Sequence, residues 1–295
     1  MIPERGRRQY MSGLFLLAEK TETNRLMIGV FDSGFGGLTV LRAFLEKLPR
    51  YDYIYLGDNA RSPYGTRSFE TVFQFTKSGV EALFQRGCRL VILACNTASA
   101  KALRNIQQKE LPHMEPGLRV LGVIRPCVEA LGSISQSGVV GILGTPGTVQ
   151  SDSYPIEIKK IYPHFQVFQQ ACPMWVPLVE NNEQDSPGAD YFVQKEIDTL
   201  LSKHEGIDTV VMGCTHYPLL EKKIRKYLPA GIRLVAQGPI VADSLADYLH
   251  RHPEIETQCT KESGRIFLTT EVPTHFDKNG SRFLEMEVSS EKIVL

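Results

Sequence analysis

Short apolar runs alternate along this chain with longer stretches of helical period. Residues 26–31 read as a buried strand, and a glycine-rich turn at 34–37 leads from it into a helix over 38–48, stopped at Pro49. The run 53–56 is the next strand and enters a loop, 57–65, by its Gly, Asn, Ser and Pro content. A helix over 69–85 and a strand ending at Cys95 complete a β-α-β-α-β series. Alternation of this kind predicts a parallel sheet covered by helices.

The pattern then restarts. Residues 118–123 predict a strand and 127–134 a helix, and the strand-to-glycine turn over 139–148 echoes 28–37. A strand at 166–170 leads into 171–180, which echoes the loop at 57–65; a helix over 189–204 precedes a strand ending at Cys214. Loop for loop the halves correspond, as a duplicated β/α unit would. A return segment at 233–236 and a helix over 240–250 follow, and 265–270 and 283–288 have strand character. The expected organisation is an extension, 1–25, a first α/β domain from 26–117 plus 237–295, and a second from 118–236.

Composition narrows the class. The 295 residues carry 33 Lys plus Arg against 33 Asp plus Glu, so no overall field draws the chain to nucleic acid or an anionic membrane. No apolar stretch approaches the ~20 residues of a membrane span. Arg5, Arg7 and Arg8 precede a short apolar patch at 14–18, but charged residues follow in place of a cleavage site, and a cytoplasmic protein is expected. Six cysteines without a C-x-x-C pair, and no His cluster at zinc spacing, argue against a disulfide framework and a structural metal. Cys88, Cys127, Cys172 and Cys259 read as small buried hydrophobes.

Cys95 and Cys214 differ, because each ends an apolar strand and polar residues follow directly: Asn96 and Thr97 in one case, Thr215 and His216 in the other. Both thiols therefore belong to the carboxyl edge of a sheet, where open α/β folds place ligands. A cysteine at a helix start is expected to have a lowered pKa. Two thiols on equivalent halves can face one ligand from opposite sides. One group to remove a proton and another to return it across a carbon is what racemisation requires. The Asp32, Ser33, Gly34 turn permits close backbone approach and suits an amino-acid carboxylate or ammonium; it lacks the lysine of a phosphate loop. Two other classes fit the same residues: a thiol hydrolase or transferase with Cys95 as nucleophile and His216 as base, and a two-lobed binding protein for an acidic metabolite.

The segments 29–37, 57–65, 94–97, 177–180 and 213–218, in this order, give the chain a resemblance to the aspartate/glutamate racemase superfamily, and within it to the glutamate-specific branch. The resemblance covers nearly everything from Met27 onward. It implies two pseudo-symmetric three-layer α/β domains with mainly parallel sheets facing a central cleft. It further implies racemisation of L-glutamate to D-glutamate without pyridoxal phosphate or metal, so no cofactor, in a homodimer that supplies D-glutamate for peptidoglycan. By position Cys95 would act on D-glutamate and Cys214 on L-glutamate, with Asp32 assisting Cys95, and His216 and Glu180 assisting Cys214. Asp32, Ser33, Tyr64, Gly65, Asn96, Thr97, Thr148, Thr215 and His216 match positions that hold substrate. His216 points to glutamate, where aspartate racemases, the alternative within the superfamily, tend to carry a carboxylate. Arg125 departs from the acidic or small residue expected there.

Overall fold

A computed structural model describes residues 26–295; the extension expected at 1–25 lies outside the described residues. The chain opens with β1 (Ile28–Asp32), α1 (Leu38–Lys47), β2 (Tyr53–Gly57), α2 (Phe69–Gln85), β3 (Leu90–Leu93), α3 (Asn96–Lys101) and β4 (Arg119–Gly122). The alternation returns as α4 (Ile124–Ile134), β5 (Val139–Gly144), α5 (Pro146–Gln150), α6 (Ser153–Ile161), β6 (Gln166–Ala171), α7 (Trp175–Glu180), α8 (Pro187–Leu201), β7 (Thr209–Gly213), α9 (Glu221–Tyr227) and β8 (Arg233–Val235). Then come α10 (Gln237–Arg251), β9 (Arg265–Thr269), α11 (Pro273–Leu284) and β10 (Ser290–Lys292).

Two sheets form, of strand order β10-β9-β2-β1-β3-β4 and β6-β5-β7-β8, and every pairing in both is parallel. Strands β1, β2, β3, β5 and β7 are buried along their whole length, which is why they read as unbroken apolar runs. The duplication is topological: β2-β1-β3-β4 in one sheet repeats as β6-β5-β7-β8 in the other. In each, the chain steps outward to one side of its first strand and then crosses to the other side. That reversal opens a crevice at the carboxyl ends, between β1 and β3 and between β5 and β7.

Two expectations change. The strand predicted at 118–123 does not open the second half; Arg119–Gly122 pairs in register with Leu90–Leu93 and completes the first sheet. It is the counterpart of β8, the fourth strand of its repeat, and periodicity alone does not say on which sheet a parallel strand docks. The crossing comes one step later, where α4 packs Cys127, Val128 and Leu131 against Val140, Ile142 and Val211. The second change is at 283–288. Phe276, Gly280, Phe283 and Leu284 share the buried face of α11, and the last strand is the edge β10. The tail lies on the first sheet through β9 and β10, and α10 packs on α1.

Candidate active site

Register brings the site together. Phe31 pairs with Leu93 and Asp32 with Gly57, so the chain leaves β1 at Asp32 and Ser33 alongside the exit from β3 at Cys95. In the second sheet Gly144 is opposite Gly213, and Thr145 and Cys214 emerge side by side. Each thiol thus has a hydroxyl residue leaving the neighbouring strand. Cys95 Sγ lies 3.5 Å from Ser33 Oγ.

The two sulfurs have different neighbours. Cys95 caps α3, and the Ala98 N–H reaches its Sγ at 3.4 Å. That contact and the Ser33 hydroxyl favour thiolate, but full burial and the Asp32 carboxylate outweigh them, and the thiol is pushed up to about 12. The lowering expected from a helix start does not occur: one N–H at the end of a six-residue helix is too little against loss of water. Cys214 is followed by a short 3-10 turn at Tyr217–Leu220. Its Sγ lies 3.9 Å from His216 Nδ1, while His216 Nε2 lies 3.1 Å from Glu180 Oε1 at the end of α7. Burial alone would lower the imidazole; hydrogen bonding and charge from Cys214 and Glu180 overcome it and hold His216 up to about 10. Both ring nitrogens of His216 thus face Cys214 and Glu180, and neither pairs with Cys95 as a hydrolase built on a Cys95–His216 pair would require.

Asp32 is fully buried, and burial raises its carboxyl against the lowering pull of His216 and the Gly37 and Gly34 N–H groups. Oδ2 accepts from Gly34 N at 3.0 Å, whereas the buried Oδ1 accepts no hydrogen bond. An unpartnered buried carboxylate oxygen is costly unless a donor such as an ammonium meets it. Thr97, from the first sheet, meets Thr145 and Thr148, from the second, at 2.9 and 3.4 Å between hydroxyl oxygens. The Gly147 N–H donates to Gly65 O at 2.7 Å and closes the same seam. Asn96 is held by Tyr154 and Gln237. Thr39 donates from Oγ1 to Thr215 O at 3.0 Å and so ties α1 to the Cys214 turn.

Asp32, Ser33, Cys95, Asn96, Thr97, Thr148, Glu180, Cys214, Thr215 and His216 thus gather at one seam between the sheets. Tyr64 does not offer its hydroxyl there: it donates to Asp58, which Arg61 and Thr270 also hold at 2.7 and 2.9 Å. Gly65 contributes a carbonyl. Arg125 lies elsewhere, paired with Glu129 at 2.8 Å on a cavity of about 750 Å³ that neither thiol lines. Thr145, Thr39 and Gln237 were not singled out by sequence; only the repeat, which sets Thr145 opposite Ser33, carried a signal for one of them. Among the described residues no three His, Cys, Asp or Glu side chains group so as to hold a metal ion.

A histidine that binds its proton more tightly when folded stabilises the fold below its unfolded pKa near 6.5, and that contribution is lost as pH rises through about 10. Between about pH 7 and 10 the melting temperature is expected to fall further for the wild type than for His216→Asn, by on the order of 5 °C. Scanning fluorimetry giving parallel curves contradicts the assignment.

Fold and site together define an α/β enzyme of twin sheets with one thiol at each crevice. The chain belongs to the Asp/Glu/Hydantoin racemase family, whose profile matches residues 28–245, and is an isomerase of the amino-acid racemase class. It is 39% identical to a glutamate racemase of Geobacter metallireducens, over 87% of this chain and 92% of that one. A glutamate racemase isoform from Bacillus anthracis superposes with a TM-score of 0.84 at 33% identity, covering 92% of this chain and 98% of its own. The Francisella tularensis glutamate racemase, solved in complex with D-glutamate, does so with 0.80 at 30%, with the same two coverages.

Proposed function

We propose that the protein interconverts L- and D-glutamate by two-base proton transfer between Cys95 and Cys214, without a cofactor. The observation that carries this reading is the pair of thiols at equivalent strand ends of a duplicated unit, each with its own proton partner. Cys214, beside a proton-bearing His216, removes the α-proton of L-glutamate. Cys95, protonated at neutral pH, delivers a proton to the opposite face. In reverse, Asp32, its own carboxyl raised by burial, takes the proton from Cys95. Glu180 holds His216 in place and balances its charge.

The barrier is large. An ordinary thiol near pKa 8.5 is roughly ten units or more short of the α-proton, about 14 kcal/mol. Holding reactants in a closed cleft supplies roughly 7–11 kcal/mol. Donors around the developing charge add a few kcal/mol each. In this reading Asn96, Thr97, Thr148 and Thr215 supply those donors, Asp32 and Ser33 receive the ammonium group, and Gly65 contributes its backbone. Tyr64 acts through the loop it holds.

Glutamate is favoured over aspartate because the relatives reported above are glutamate racemases and because His216 follows the second thiol. The protein then works in the cytoplasm as a homodimer and supplies D-glutamate for peptidoglycan; among the described residues no helix is long and apolar enough to cross a membrane. Circular dichroism with glutamate and aspartate side by side tests the substrate. Signal is expected to decay to zero from either glutamate enantiomer and to stay unchanged with aspartate; the converse overturns the assignment.

A further inference from the structure

We infer that Tyr154 and Gln237 are positioning residues that present the remaining Asn96 amide N–H to the cleft as a hydrogen-bond donor, and so tighten binding of a substrate carboxylate; this rests on the glutamate reading above. The three side chains come from α6, α10 and α3, far apart in sequence, and all are buried. Gln237 donates from Nε2 to the Tyr154 hydroxyl at 2.6 Å, Tyr154 donates to Asn96 Oδ1 at 2.9 Å, and Asn96 donates from Nδ2 to Gln237 Oε1 at 2.6 Å. The circuit closes in one direction: each group donates once and accepts once. Turning the Gln237 amide alone would set donor against donor, and turning the Asn96 amide alone would set acceptor against acceptor, so the ring ties the two orientations together, and its members polarise one another.

The consequence falls on Asn96. Its carbonyl accepts from Tyr154 and one N–H goes to Gln237, which leaves a single side-chain N–H on the residue next to Cys95. That donor complements a carboxylate oxygen, which only accepts, and has nothing to offer an ammonium group. Tyr154 also sits against the other thiol's strand, since a Cβ on Gly213 would lie 3.3 Å from Tyr154 Cε2. One phenol ring therefore meets both the residue after Cys95 and the residue before Cys214.

Tyr154→Phe keeps the ring's volume and removes its hydroxyl. KM for both glutamate enantiomers is expected to rise about tenfold while kcat changes less than about threefold, the loss of one hydrogen bond to a charged group. The decisive readout is the double-mutant cycle with Asn96→Ala. In that background Tyr154→Phe is expected to change KM less than about twofold, because the group it positions is gone. Equal effects of Tyr154→Phe with and without Asn96, or no change in KM, overturn the inference. Gln237→Met runs the same cycle should Tyr154→Phe fail to fold by thermal melting. A wild-type protein that racemises neither enantiomer overturns the glutamate reading and the inference with it; an active wild type with an additive cycle overturns the inference alone.

Discussion

Replacing either Cys95 or Cys214 with Ala is expected to abolish racemisation in both directions, with kcat falling by about 10³-fold or more. A positioned acid or base contributes roughly 10²–10⁴-fold on its own, and racemisation needs the acid and the base in the same turnover. Neither sulfur has a substitute. In the proposed mechanism Asp32 and His216 stand behind the thiols and do not replace them; His216 Nδ1 lies 3.9 Å from Cys214 Sγ. Cys→Ser separates the roles. With the base on one side kept, Cys95→Ser is expected to exchange the α-proton of L-glutamate without forming D-glutamate at a comparable rate, and Cys214→Ser the reverse. Proton NMR in deuterated water measures the exchange. Full racemisation by Cys95→Ala would remove the basis of the two-thiol mechanism.

Gly36→Ala is expected to cost roughly 10²-fold in kcat with little change in the amount of folded protein, the scale of loss that follows a displacement of about 1 Å at reacting groups. A Cβ at residue 36 would stand 2.3 Å from Thr215 Oγ1 and 2.4 Å from His216 Nδ1. Neither atom can remain where it is. The Asp32 turn and the Cys214 turn meet at this glycine, so one methyl group pushes His216 away from Cys214 and loosens its bond to Glu180. The pH dependence of the residual activity should change with it, because the same contacts hold His216 up to about 10. Steady-state kinetics at several pH values, with circular dichroism to confirm folding, checks both statements; near-normal turnover contradicts the close packing.

The parts legible in the sequence were those set by local pattern. Fully buried strands such as Ile28–Asp32 and Thr209–Gly213 are continuous apolar runs, and Phe69–Gln85 is a helix with its Ser68 cap accepting from Thr71 N–H. The repeat was visible because both halves place a cysteine followed by polar residues at a strand end. Sheet membership was not visible, since Arg119–Gly122 carries nothing that says which neighbour it will join. Its helix start alone predicts a lowered Cys95 thiol, yet the protonation is decided by burial and by Asp32, a residue 63 positions away in the chain. The Asn96–Tyr154–Gln237 ring joins residues with no shared motif, and only the packing of α3, α6 and α10 creates it.

In the proposed mechanism the proton removed and the proton returned belong to different sulfurs. Racemisation of protiated L-glutamate in deuterated water, stopped at low conversion and read by mass spectrometry of the separated enantiomers, distinguishes two sulfurs from one. D-glutamate is expected to carry deuterium at the α-carbon while the unreacted L-glutamate keeps its protium. D-glutamate that retains the original proton would mean one base serving both faces, and would contradict the mechanism.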